Sequence, residues 1–163
     1  MPLLKIIQKP YLSWDALDVV IHKYVLHKAL AAGGIHVDPP SAAEQMHMVK
    51  EVYGQTEGTQ LRQFVLSFSD WETERIKSLN ELKEIAYLIC HYYAGSFQII
   101  FGIHNNGRYH IHFVMNTVSF CDGSRYHHRN ADDNALALYI RFGCIPYNTE
   151  KNLRITKIPV YYN

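Results

Sequence analysis

Two histidines spaced two residues apart, His110 and His112, lie in an apolar and aromatic run that predicts a β-strand. Successive strand residues face opposite sides of a sheet, so both imidazoles point the same way and can share one metal ion. A third histidine, His104, lies just upstream across a polar segment. Three imidazoles on adjacent strands make an open metal site with positions left for a substrate oxygen. Because the chain has 10 histidines, half-buried histidines without a ligand role are the alternative.

The turn between the two strands decides whether the third histidine joins the pair. If the turn consists of Asn106 and Gly107 alone, it is of type I′ and His104 faces away from the pair. If the loop includes Arg108, or if a bulge intervenes, His104 lies opposite His110 and completes the site. The residue types of the turn are compatible with both geometries, so the sequence alone does not determine the register between the two strands.

The hydrophobic pattern of the whole chain predicts strands interspersed with helices. Ser13, Ser41 and Asp70 are expected to cap helices, and the first helix is expected to end at Gly33 and Gly34. Helices among long antiparallel strands indicate an α+β fold, in which helices cover an antiparallel sheet. Strands are predicted over residues 3–8, 60–69, 97–103, 109–120 and 153–160, and helices over about 13–32, 41–54, 70–93 and 132–142.

Length and composition indicate one globular domain, residues 1–163, with 48% hydrophobic and 19% charged residues. There is no run of about 18 apolar residues, so no membrane-spanning helix is expected. The cysteines Cys90, Cys121 and Cys144 fit neither a zinc ribbon nor a disulfide framework, which indicates a reducing, cytoplasmic setting. No coiled-coil pattern is present, so a monomer is expected.

The net charge of +1 is low for a nucleic-acid-binding protein. Basic residues nevertheless gather near the histidines and on the first helix, where they are candidates for contacts with phosphates. These are Lys23, Lys28, Arg108, Arg125 and Arg129. A scatter of solvated surface charges explains them equally well. Aromatic residues, 13% of the chain, could stack on the bases of a single strand.

Three segments resemble the conjugative relaxases, the mobilization nucleases of plasmids and integrative elements within the HUH endonuclease superfamily. Residues 102–127, which contain the three histidines, resemble the family's metal-binding motif. Residues 49–58 followed by 64–69 resemble its middle motif, and residues 20–26 resemble the motif that holds a nucleophilic tyrosine. The segments occur in the family's order, and the resemblance is to the nuclease domain only.

The resemblance implies a central five-stranded antiparallel sheet flanked by helices, as in relaxases and rolling-circle initiators. It implies site- and strand-specific nicking and strand transfer at a plasmid or mobile-element transfer origin, through a covalent tyrosine–DNA intermediate. Tyr24 matches the nucleophile, and His104, His110 and His112 match the ligands of a divalent ion, manganese or magnesium. The implied partners are single-stranded DNA at the origin, accessory mobilization proteins and a coupling protein.

One feature of the family's metal motif is replaced in this chain. The family has a carboxylate two residues after the first histidine, and Asn106 stands there. Asn106 and Asn116 are therefore candidates for orienting the ligands by hydrogen bonds, and Glu72 is a candidate substitute carboxylate.

Tyr24 and the function each have alternatives. At α-helical spacing Tyr24 aligns with Leu17 and Ile21, which would make it a core tyrosine. The alternative functions are a non-catalytic, relaxase-like protein that binds single-stranded DNA and a rolling-circle replication initiator of the same superfamily. The first predicts salt-sensitive binding without nicking.

Overall fold

The computed structural model describes residues 2–145 and 154–158. None of the helices within residues 2–145 is long and apolar enough to cross a membrane. The elements are β1 (Leu3–Ile7), α1 (Ala16–Val20) continued by a π-helical turn (Ile21–Leu26), β2 (Ala31–Ile35), a 3-10 turn (Pro39–Ser41), α2 (Ala42–Val52), β3 (Leu61–Ser67), α3 (Asp70–Arg75), α4 (Leu79–His91), β4 (Ile99–Asn105), β5 (Tyr109–Asn116), α5 (Asn130–Tyr139) continued by a π-helical turn (Ile140–Cys144), and β6 (Arg154–Ile158).

The strands form one sheet in the order β2–β4–β5–β3–β1–β6. The first five are paired antiparallel throughout. β6 joins the edge parallel to β1. The predicted α+β fold with a five-stranded antiparallel sheet and flanking helices is therefore confirmed, and the strand predicted near residue 153 extends it by one parallel strand.

The two faces of the sheet pack against different helices. Phe101 and Phe113 belong to the core between the sheet, α4 and α5. Ile100 and Val114 belong to the core between the sheet, α1 and α2. Strand alternation places all three predicted metal ligands on the α1 side of the sheet, beyond the end of that second core.

The first helix is shorter than predicted. It ends at Leu26, and Lys28 has a positive φ of 55° that no α-helix continues through. Gly33 and Gly34 lie inside β2 instead of ending a helix. A β-carbon on Gly33 would lie 2.6 Å from the ring of Phe101, so glycine is required there by packing across the sheet. The prediction of helix up to residue 32 was wrong because this requirement comes from a distant residue.

The predicted caps also need correction. Ser69, not Asp70, caps α3, with its backbone N–H donating to the Glu72 carboxylate at 2.8 Å and its hydroxyl accepting from the Glu72 N–H. The single helix predicted over this region is divided into α3 and α4, and Ser78 caps the second. Ser41 precedes α2 but makes no side-chain capping hydrogen bond.

Candidate active site

The hairpin between β4 and β5 brings the three histidines together. His104 pairs with His110 across the ladder, so the loop has three residues, 106–108. Gly107 takes a φ of 98° at the middle of that loop, which glycine adopts without strain. The ring centres lie 5.5 Å apart for His104 and His110, and 5.2 Å from either of them to His112. Of the two registers compatible with the sequence, the structure has the one that completes the cluster.

Backbone carbonyls fix two of the three imidazoles. His104 Nε2 lies 3.0 Å from the Val25 carbonyl oxygen, and His110 Nδ1 lies 3.2 Å from that of Arg108. A carbonyl only accepts, so each of these nitrogens carries the proton and the other ring nitrogen keeps a lone pair. This is the arrangement that commonly orients metal-binding histidines. His112 Nδ1 is buried without a hydrogen-bond partner.

The electrostatics keep two of the three imidazoles, those of His104 and His112, uncharged. Burial, followed by the neighbouring His110 and His104 and by Lys5, lowers the pKa of His112 to about 3. Burial is also the largest cause that lowers the pKa of His104 below its usual range. Both imidazoles are therefore neutral at physiological pH, the form that binds metal ions.

Tyr24 stands beside this cluster and not in the core. It lies on the π-helical turn, its side chain is 37% exposed, and its ring centre is 6.1 Å from that of His112. A π-helical turn contains more residues than an α-helical one, so Tyr24 leaves the apolar stripe that includes Leu17 and Ile21. The alternative of a core tyrosine is not what the structure shows.

A glycine of the central sheet permits this close placement. Gly102 lies opposite His112 in the ladder, and a β-carbon there would clash with the carbonyl oxygen and carbon of Val25. The backbone of the π-helical turn therefore rests directly on β4. The same Val25 carbonyl binds His104, so the segment that carries Tyr24 is joined to the histidine cluster by contact and by hydrogen bond.

The three imidazoles agree with a divalent-ion site in residue type, sheet face and ring spacing, but not in the present placement of their nitrogen atoms. Three imidazoles bound to one divalent ion at about 2.1 Å would have ring centres about 5 Å apart, close to the distances between these rings. The buried, unpartnered Nδ1 of His112 is consistent with a ligand still to be supplied. As the side chains stand, no group of three or more histidine, cysteine or carboxylate side chains in the described part of the chain has its donor atoms arranged to hold an ion.

Of the three residues proposed to orient the ligands, one is exposed in the hairpin loop and the other two form hydrogen bonds to other parts of the chain. Asn106 is in the exposed hairpin loop. Asn116 is buried, and its amide donates to the Met46 carbonyl at 3.2 Å and to Gln98 Oε1 at 2.9 Å. The Glu72 carboxylate binds Ser69 as a helix cap. These bonds give Asn116 and Glu72 structural roles, and none of them reaches a histidine.

The five basic residues have different surroundings. Lys23 lies with its ammonium 5.2 Å from the Tyr24 ring centre, and Lys28 and Arg129 are exposed. Arg108 is paired with Asp70 at 2.5 Å and 2.8 Å. The guanidinium of Arg125 donates to the side chain of Gln55 and to carbonyls of residues 55, 57 and 59. The structure thus gives Arg125 a loop-binding role and leaves Lys23 closest to the candidate nucleophile.

Three residues near the cluster were not singled out from the sequence. Lys5 lies on β1, in the same row across the sheet as His112. Tyr11 and Gln63 line a hollow beside Tyr24 and bond to each other at 2.6 Å. The available signals were a lysine in the otherwise apolar strand β1 and a glutamine within strand β3.

A comparison with known protein families matches residues 23–148 to the nuclease domain of MobA/VirD2-like relaxases. The matched region covers most of the chain and includes Tyr24 and all three histidines. No curated protein and no solved structure matched the chain.

Proposed function

The chain belongs to the MobA/VirD2-like relaxases, a family of DNA-nicking nucleases that act on single-stranded DNA, and we propose that it cleaves one strand through Tyr24 with the help of a divalent ion. The family expected from the three sequence segments is thereby confirmed. What the proposal adds is the identity of the nucleophile, the ligands and the kind of DNA site.

The observation that carries the proposal is the position of Tyr24. An exposed tyrosine ring stands 6.1 Å from the ring of a partly buried, neutral histidine in a cluster of three. Gly102 and the bond from His104 to Val25 hold it there. A core tyrosine would need neither exposure nor this support.

The reaction is a transesterification. The phenolic oxygen of Tyr24 forms a bond to the scissile phosphorus, and the bond from phosphorus to the 3′-oxygen breaks. The phenol loses its proton to solvent, and the departing oxygen takes one up to become a 3′-hydroxyl. The products are a 5′-phosphotyrosine and a free 3′ end. Because one phosphodiester replaces another, the step can run backwards and rejoin or transfer the strand.

His104, His110 and His112 would hold the ion. A manganese or magnesium ion bound there would polarise the scissile phosphate and neutralise its charge. The carbonyls of Val25 and Arg108 orient two of the rings. Lys23, beside Tyr24, adds a positive charge for the backbone of the strand.

The biological setting follows from the family. We infer that the strand is nicked at the transfer origin of a plasmid or mobile element, in the cytoplasm, by a monomer in which residues 1–163 form one domain. Accessory mobilization proteins and a coupling protein would act with it. Sequencing the DNA captured in the experiment below would identify the origin.

The experiment is covalent capture. A pool of single-stranded oligonucleotides with randomised centres and a 3′ label is incubated with the protein and manganese, then denatured. We expect a labelled protein band from the wild type and none from Tyr24→Phe. Tyr87→Phe is the matched control, because Tyr87 is also 37% exposed but lies on α4 behind the other face of the sheet. An adduct that survives in Tyr24→Phe would refute the assignment of the nucleophile.

A second candidate is a non-catalytic DNA-binding protein of this family. It is favoured by one observation, that no group of three or more histidine, cysteine or carboxylate side chains among the described residues is placed so that it could hold a metal ion. Binding of the pool that weakens with salt, with no adduct from the wild type in manganese or magnesium, would select it.

A further inference from the structure

A second hollow, of about 390 Å³, lies at the opposite end of β5 from the histidine cluster. It opens where β1 ends and β3 begins, and Thr117, just after the end of β5, is in its wall. His110 and His112 are near the start of β5. The volume is within the range of pockets that bind small molecules. The nicking reaction proposed above makes no use of this hollow.

A buried arginine lies in the wall of this hollow. Only 7% of Arg62 is exposed, and its Nη2 donates to the carboxylate of Asp133 at 2.9 Å. The rings of Tyr93 and Tyr126 have their centres 5.8 Å and 5.1 Å from its Cζ, so the side chain is held in place. Its Nη1 makes no hydrogen bond with a described residue and is not fully buried, which leaves it open to the hollow. Arginine stays charged at any physiological pH, so this donor favours an anion.

A second buried cation lies behind the wall. Lys50 is fully buried, and its ammonium donates to the Thr117 hydroxyl at 3.3 Å. No carboxylate in the described part of the chain pairs with it. Burial, then Arg125, lowers the pKa of Lys50 to about 7. A buried charge is costly unless a counter-charge accompanies it, and an anion in the hollow that Thr117 lines would supply one.

The charges around the hollow are unbalanced. Lys9 is exposed at its rim, which adds a third cation to the two buried ones. No carboxylate of the described residues lines the hollow, and Asp133, behind its wall, neutralises one of the three cations. Farther out, the charges of Arg125 and Asp132 offset each other. The excess of two positive charges matches a phosphate monoester, which carries about −1.5 to −2, better than a linkage within a DNA strand, which carries only one negative charge.

We propose that this hollow binds a small phosphate monoester whose phosphate is held by Arg62 and Lys9. The attached group lies against the apolar part of the wall, which consists of Ile6, Ile7, Pro10 and Leu61. Lys50 acts on the phosphate through its charge, since Thr117 stands between the ammonium and the hollow. The site is additional to the proposed nicking function and does not depend on it.

The test is calorimetric titration of the metal-free protein with inorganic phosphate and with thymidine 5′-monophosphate, at constant ionic strength. We expect both to bind saturably, and the nucleotide more tightly, because its sugar and base contact the apolar wall. Lys50→Met should weaken both by about threefold to tenfold through the lost charge. Arg62→Gln should weaken both by about tenfold or more, because a hydrogen bond from a charged group is lost. Lys9→Gln, which removes an exposed charge, should weaken both by about threefold.

Lys50→Met is the decisive variant, because it replaces a buried charge by an apolar chain of similar length and should fold even if Arg62→Gln does not. Lys77→Gln is the matched control for Lys9→Gln, since Lys77 is also exposed but lies away from the hollow. It should bind both ligands as the wild type does. A wild type that binds neither ligand saturably, or a Lys50→Met variant that binds both as tightly as the wild type, would overturn the proposal.

Oligothymidylate without a terminal phosphate separates the two sources of phosphate. The hollow beside Tyr24 shares Ile7, Lys9 and Pro10 with this one, so a strand could reach both. We expect Lys50→Met to leave the affinity for this strand unchanged. An equal loss for the strand and for the nucleotide would assign the hollow to the DNA backbone and overturn the monoester site. Covalent capture is scored separately, because an adduct without phosphate binding removes only this site, and phosphate binding without an adduct removes only the nicking mechanism.

Discussion

Replacing Gly102 by alanine tests whether the sheet itself positions the candidate nucleophile. The added β-carbon would lie 2.8 Å from the Val25 carbonyl carbon and 3.1 Å from its Cα, and closer still to the oxygen. Backbone atoms cannot turn aside as a flexible side chain can. The π-helical turn must therefore move away from β4 by about 1.5 Å to regain ordinary contact, and Tyr24 moves with it.

The expected magnitudes differ for activity and stability. A misplacement of about 1 Å at a reacting group costs on the order of a hundredfold in rate. Overpacking of this kind costs about 1–3 kcal/mol of unfolding free energy. The variant should therefore remain folded while the rate of adduct formation falls by about a hundredfold. The measurements are the rate of covalent capture with manganese and the unfolding free energy in urea.

Gly95→Ala is the matched control, since a β-carbon there would have no atom within 4 Å. It should keep the wild-type rate. If Gly102→Ala formed the adduct as fast as the wild type, with the same unfolding free energy, the close contact of Val25 with β4 would not be what places Tyr24. That result would refute the reasoning, because a methyl group at residue 102 can be accommodated only if the backbone of Val25 moves.

Three further predictions concern metal, loop and pH. His112→Ala should weaken manganese binding by about tenfold or more in calorimetric titration, and unchanged affinity would exclude it as a ligand. Arg125→Ala should lower the unfolding free energy by about 2–3 kcal/mol through lost hydrogen bonds and leave the salt dependence of DNA binding unchanged. Lys23→Gln should instead reduce by about 0.7 the slope of the logarithm of the DNA-binding constant against the logarithm of the salt concentration. The opposite pattern would show that Arg125 contacts the phosphates and that Lys23 does not. Burial, then Arg125, lowers the pKa of Lys50 to about 7 in the folded protein, while the unfolded chain keeps its ordinary value of about 10.4. The unfolded chain therefore binds more protons between these two pH values, and stability should rise with pH through that window by up to about 4 kcal/mol. Denaturation of Lys50→Met at pH 7 and pH 9.5 should show a smaller rise than the wild type, and equal rises would contradict the buried-lysine explanation.

The two-residue alternation of strand side chains predicted part of the candidate site from sequence alone. Strand alternation was enough to place His110 and His112 on one face. The face of the sheet on which His104 lies could not be predicted in this way, because changing the length of the hairpin loop by one residue moves the side chain to the opposite face. The three-residue loop with Gly107 at positive φ resolved that choice.

Three features were not accessible to local sequence patterns, two of them because they depend on contacts between residues far apart in sequence. Gly33 looked like the end of a helix, yet it is needed where β2 packs against Phe101. Arg125 was a candidate for phosphate contacts, and no local pattern indicated that its guanidinium also donates to the loop at residues 55–59. Tyr24 could not be separated from the core by α-helical spacing, because the π-helical turn changes that spacing.

The ladder position of the histidines has a consequence for hydrogen exchange. β4 and β5 are each paired on both sides, so their amides should exchange only when the whole sheet opens. The π-helical turn is not hydrogen-bonded between two neighbouring strands, so it can unfold locally while the sheet stays intact. On warming, amides near Tyr24 should therefore exchange well before those of His104 and His112. A warmed molecule would then lose its ability to cut DNA while its three imidazoles still stand together, and cooling would restore cutting without any need to refold the sheet.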